Sequence, residues 1–138
     1  MRSVDIFFYG LFMDQQALEA QNLNPSNARM ASVSGYKLHI GKRATLSPEV
    51  GAEAWGMVIG LPIEEAEQLY AEPSVADYKP EAVLAHTTDG QQVAALCYNL
   101  VSSGTDDTNK TYAASLHALA ERLGLPDSYV TFLNTLTQ

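Results

Sequence analysis

The chain has 138 residues, with 8 Lys plus Arg against 16 Asp plus Glu and a formal net charge of −8 at pH 7. That length suits one domain over residues 1–138 around a single core, and the negative field repels phosphate backbones and anionic lipid, which sets aside nucleic acid and membrane surfaces as partners. The longest apolar runs, such as residues 6–9 and 94–97, fall far short of the ~20 residues a bilayer span needs, and Asp5 breaks any leader-like opening.

Residues 4–9, VDIFFY, form a dense β-branched and aromatic run ended by Gly10, the pattern of a buried first strand feeding a tight turn. Asp14 is placed to cap a helix over residues 15–21, which Asn24 and Pro25 close. Residues 31–33 and 36–40 flank Ser34-Gly35 and predict a hairpin with Tyr36, Leu38 and Ile40 on one face. Residues 41–51 mix charge, Pro and Gly and read as irregular, with a short strand at 43–46. Residues 53–61, EAWGMVIGL, are a strong strand, with Trp55 expected in the core; Gly56 and Gly60 interrupt it, as happens where a neighbouring backbone or a ligand must come close.

Pro62 with Glu64, Glu65 and Glu67 signals the start of an acidic helix whose buried stripe is Ile63, Ala66, Leu69 and Tyr70. Pro73 stops it, so Glu72 is expected as its last residue, ahead of a short connection and a strand opening at Tyr78. Residues 81–86 and 92–100 are a second hairpin joined through Thr88-Asp89-Gly90, and Pro80 predicts that its first strand begins at an edge. Residues 102–109 read as an exposed polar loop, residues 112–123 as an amphipathic helix capped by Gly124, and residues 126–136 as a last helix. A strand-rich middle with helices at front, centre and end fits an α+β domain, a curved mixed sheet or small barrel with helices laid on it.

Few residues are placed to do chemistry. The lone Cys97 excludes an internal disulfide, fits a reducing compartment such as the cytoplasm, and has no basic neighbour to activate it, so it reads as a packed thiol. Three scattered histidines and the lack of CxxC or HExxH give no basis for a metal, and no cofactor motif occurs. The YGLFM turn around Gly10 offers backbone amides that can cradle a carboxylate, although glycine turns are more often structural. Lys42-Arg43 is a paired basic spot that can hold a substrate carboxylate or stay a surface pair. Glu72 is either a solvated helix-end carboxylate or, walled by Tyr70, Val75 and Tyr78, a desolvated base.

These segments together resemble the gamma-glutamyl cyclotransferase-like (AIG2-like) family. FFYGLFM is similar to the family's opening strand and substrate loop, EAWGMVIGL to its strand before the acidic helix, EPSVADY to its catalytic Glu followed by Tyr, and TYAASLHALAERLGLPDSYVTFL to its closing helices. The resemblance implies a small mixed β-barrel flanked by helices and cofactor-free cyclisation of a gamma-glutamyl amine or amide to 5-oxoproline. It also implies Glu72 as general acid and base, and substrate binding by Tyr9, Gly10, Leu11, Phe12, Tyr78 and Tyr112. Three positions differ from the pattern: Glu72 follows Leu69 by three residues rather than four, about 100° around a helix; Leu11 replaces the loop serine; and Pro80 stands where a polar or basic residue is usual. The alternatives are a non-catalytic small-molecule-binding protein on the same fold and an enzyme of another class using Cys97. A homodimer is compatible with the sequence.

Overall fold

The computed structural model describes residues 2–100 and 108–138, so most of the loop expected at 102–109 lies outside the described residues. Five strands close into a barrel in the order β1 (Ser3–Phe8), β3 (Ala44–Pro62), β2 (Ser26–Ile40), β4 (Lys79–Thr87), β5 (Gln92–Asn99). Helices α1 (Gln15–Glu19), α2 (Ile63–Leu69), α3 (Lys110–Leu123) and α4 (Asp127–Thr135) lie around it. This is the helix-flanked α+β barrel expected from the sequence. β1 pairs antiparallel with β3 along its whole length, Ser3 opposite Pro62 through Phe8 opposite Met57, and touches β5 in parallel at Ile6–Leu96 to close the ring. Ile6, Phe7 and Phe8 are all buried in succession, which the alternating faces of a strand allow only when both faces are covered.

Two local expectations are corrected. Residues 31–40 do not fold on themselves as a hairpin: β2 runs unbroken and pairs with β3, and Ser34-Gly35 is a bulge where the register shifts between Ser34 and Tyr36. Gly35 sits at φ +83°, a conformation that lets the strand kink and continue rather than reverse. The segment expected to be irregular is therefore mostly strand, because β3 already begins at Ala44 and pairs with β2 from Ile40–Ala44 onward. The β4–β5 hairpin forms as expected, with Glu81 opposite Cys97 and His86 opposite Gln92. β4 meets β2 only at Ala31–Thr87 and Ser32–His86, so the Pro80 end needs no second partner for a missing N–H.

The glycine interrupting the long strand has a packing reason. A Cβ at Gly56 would collide with the Phe8 carbonyl oxygen and lie 3.1 Å from Tyr9 Cα, so β1 and β3 approach closely only because that side chain is absent. Its neighbour Trp55 is not a core residue: it is half-buried and donates from Nε1 to Glu53 at 2.8 Å, so the indole lies at the margin with its N–H satisfied. α2 also ends earlier than expected. Leu69 is its last residue, Tyr70 caps it, and residues 70–77 are turns; Pro73 disfavours a helical conformation at Glu72, which therefore lies in the turn.

Candidate functional site

At the end of the barrel where β1 runs out, a cavity of about 330 Å³ opens. Its lining comes from five places: the end of β1 and the turn after it, the start of β3 with Arg43, the turn following α2, Tyr98 of β5, and Tyr112 of α3. A volume of this order accommodates a small molecule.

The turn is built around the absence of a side chain. After Gly10 the chain makes a single 3-10 turn, Leu11–Met13, and Asp14 then caps α1 by accepting from Gln16 N at 3.0 Å. The Leu11 amide donates to Tyr112 Oη at 3.3 Å, and a Cβ on Gly10 would collide with that hydroxyl. Asp14 also pairs with Arg122 of α3 at 2.9 Å, so two contacts bind the turn to α3. Asn109 does the same for the opposite rim. Its side chain caps α3 by accepting from Tyr112 N at 3.0 Å and donates to Lys42 O at 3.2 Å, while its amide donates to Gly41 O at 2.8 Å.

Five tyrosines face the cavity, and their hydroxyls are held in known directions where partners exist. Tyr9 Oη donates to Tyr98 O at 2.7 Å, and Tyr78 Oη donates to Ala44 O. Tyr70 stacks on Tyr98 with ring centroids 3.7 Å apart and planes 6° from parallel. Burial, which disfavours the phenolate, pushes Tyr78 up to about 12 and also raises Tyr9, Tyr70 and Tyr112. These phenols are neutral hydrogen-bonding groups at ordinary pH. Arg43 is the one cationic side chain on the lining among the described residues, and no lining residue is a carboxylate, histidine or cysteine.

Tyr9, Gly10, Leu11, Phe12, Tyr78 and Tyr112 all border this one cavity. Glu72 is exposed and is not part of the lining, although Ser74 and Val75, just beyond it, are. Cys97 is fully buried and its thiol is pushed up to about 12 by that burial, which makes it unreactive as a nucleophile. Sequence reasoning missed Tyr98 and the structural role of Asn109. The alternation of β5 contained the first, since Cys97 inward places Tyr98 on the opposite face; for the second, an Asn just ahead of a helix is the local signal of a cap, while nothing local signalled its bonds to Gly41 and Lys42. A second cavity of about 340 Å³, between the β2–β3 ribbon and α4, holds none of the candidate residues. Among the described residues no group of three His, Cys, Asp or Glu could hold a metal ion, and no helix is long and apolar enough to cross a membrane.

Comparison with known proteins agrees with this architecture. A solved structure named gamma-glutamyl cyclotransferase superposes with a TM-score of 0.83 at 19% identity, covering 96% of this chain and 87% of its own. An uncharacterized protein from Homo sapiens, loc79017, gives 0.85 at 20% identity, covering 97% and 88%. YkqA from Bacillus subtilis gives 0.79 at 19% identity, covering 99% of this chain and 55% of that larger one. At these identities the likeness establishes the fold. No curated protein matches the sequence. The family model described as the AIG2-like family matches residues 53–133, more than half of the sequence. The chain belongs to the AIG2-like family, whose fold it shares with gamma-glutamyl cyclotransferase.

Proposed function

We propose that this chain binds a compact gamma-glutamyl amine or amide in the aromatic cavity beside Gly10, acting in the cytoplasm and without a cofactor. The observation that carries the reading is the composition of the lining: phenyl and phenol walls for the ligand's carbon skeleton, the tight glycine turn at Gly10 to Phe12, and one guanidinium. Binding without turnover is the form the geometry favours. Ring closure to 5-oxoproline requires the substrate's α-ammonium, with a pKa of about 7.7–8.0, to give up its proton before nitrogen attacks the γ-carbonyl carbon. Among the described residues no lining side chain is an acceptor suited to that step: the phenols hold their protons, Arg43 stays charged, and Glu72 is exposed and off the lining.

A second reading, cyclisation with Glu72 as general acid and base, is favoured by a specific feature of the same turn. Ser74 and Val75 border the cavity, so a rearrangement confined to residues 70–77 would bring the Glu72 carboxylate to the rim. There it would take the ammonium proton as the C–N bond forms and return it to the departing amine as the old amide bond breaks. Ring closure is intramolecular, so positioning by the cavity would supply much of the rate.

Titration calorimetry with a panel of gamma-glutamyl amino acids and amines, alongside an assay for 5-oxoproline, separates the two. Binding with no 5-oxoproline is the expected outcome. Release that falls at least ~10²-fold in Glu72→Gln would establish the second reading instead, release indifferent to that change would assign the proton to another group, and absence of both binding and release would overturn the gamma-glutamyl assignment.

A further inference from the structure

Arg43 is held in a way that leaves two of its five N–H donors unused. Its Nη1 donates to Ser74 O at 3.0 Å and to Asp77 Oδ1 at 2.7 Å, and its Nη2 donates to Asp77 Oδ2 at 2.6 Å. The guanidinium carbon lies 5.4 Å from the centre of the Tyr78 ring, whose hydroxyl is itself tied to Ala44 O. Those bonds use three of the five N–H donors a guanidinium carries. Among the described residues Nε and the remaining Nη2 proton have no acceptor. They lie side by side on one edge, the spacing that takes the two oxygens of a carboxylate as a fork. Asp77 occupies the opposite end and is not on the cavity lining, whereas Arg43 is.

We propose that Arg43 is the specificity residue of the cavity, receiving a ligand carboxylate on its Nε and Nη2 edge, with Asp77 as the positioning residue behind it. The inference rests on the cavity being a ligand site and assigns its ligand class: a small molecule carrying a carboxylate and an apolar body. The charge balance supports this. A chain of net charge −8 repels small anions overall, and Arg43, its charge shared with Asp77, is the one cationic side chain on the lining among the described residues. Holding matters as much as charge. A bidentate pair to Asp77, a carbonyl on Nη1 and a ring beneath the guanidinium plane fix its orientation before a ligand arrives, which lowers the entropy lost on binding. Lysine, with a point charge on a flexible stem, would supply the charge without the fork.

The test uses two probes of one shape, 3-phenylpropionate and 3-phenylpropionamide, measured by calorimetry against the native chain, Arg43→Gln, Arg43→Lys and Asp77→Asn, with circular dichroism and melting confirming that each variant is folded. The native chain is expected to prefer the carboxylate by about tenfold or more, in the range of a charge-assisted pair. Arg43→Gln removes that preference by weakening the carboxylate about tenfold or more and the amide by much less, a split that loss of a merely structural contact, which would weaken both alike, would not produce. Arg43→Lys keeps part of it, and Asp77→Asn lowers it a few-fold. Equal binding of both probes by the native chain, a preference that survives Arg43→Gln, or binding of neither probe overturns the proposal. Adding gamma-glutamylanilide keeps the two readings apart. If it fails to bind while 3-phenylpropionate binds through Arg43, the gamma-glutamyl assignment falls and Arg43 stands; if it binds equally to native and Arg43→Gln, the reverse holds.

Discussion

Gly10 and Tyr112 form a matched pair, and the match can be measured. A methyl group at residue 10 would meet only the Tyr112 hydroxyl, with the ring carbon behind it at an ordinary 3.7 Å. Gly10→Ala should therefore cost about 1–3 kcal/mol by overpacking and weaken ligand binding, because Tyr112 must leave its place against the Leu11 amide. Tyr112→Phe alone should cost about 1 kcal/mol for the lost hydrogen bond. The double variant, lacking the hydroxyl that clashes, should be no less stable than Tyr112→Phe by itself. Additive losses in chemical denaturation would mean that the two positions do not act on each other.

The element that most constrains the site is the β1–β3 pair. β1 delivers Phe7, Phe8 and Tyr9 to the cavity only if it lies tight against β3, and the tightness depends on Gly56. The atoms a Cβ would strike there are Phe8 and Tyr9 backbone, which cannot swing aside as a side chain does. Gly56→Ala is expected to destabilise by more than about 3 kcal/mol, at the upper end of overpacking costs, or to prevent soluble accumulation. Melting within 2–3 °C of the native chain would show that the strands separate without cost. The turn of residues 70–77 is the opposite case: short of regular hydrogen bonds, it is pinned by Arg43 at Ser74 and Asp77, which is why Glu72 can be close in sequence to the cavity wall and still face solvent.

At the scale of the whole molecule, the buried titratable groups predict a one-sided response to pH. Cys97 rises from an ordinary 9.0 to about 12 and Tyr78 from 10.0 to about 12, and burial also raises Tyr9, Tyr70 and Tyr129. In the unfolded chain these groups ionise at their ordinary values, so above pH 9 the folded state binds more protons than the unfolded one and stability must fall as pH rises. Each fully buried group contributes at most ~1.4 kcal/mol per pH unit, and the half-exposed Tyr78 less. Melting temperature should hold from pH 7 to about 8.5 and decline steadily above 9. A flat profile to pH 11 would mean that these groups ionise freely in the folded protein.

Much of the fold was legible in local signals, because each depends on neighbours in sequence: the VDIFFY strand and its glycine stop, the Asp14 cap, the Asp-Gly hairpin and the Gly124 end of α3 all form as read. Ser34-Gly35 was misread because a positive-φ glycine serves a turn and a bulge equally well, and only the partner strand decides between them. The same limit applies to the site. Residue type and order brought Tyr9, Gly10, Leu11, Phe12, Tyr78 and Tyr112 into consideration, and the barrel places them around one cavity. Which way the Glu72 carboxylate faces, that Asn109 ties the β3 entry to α3, and that Arg43 is oriented by Asp77 are decided by contacts between residues far apart in the chain. Composition and periodicity determine which elements form and which faces are buried; the direction of a side chain on a turn is set by the tertiary packing around it, and there the structure alone decides.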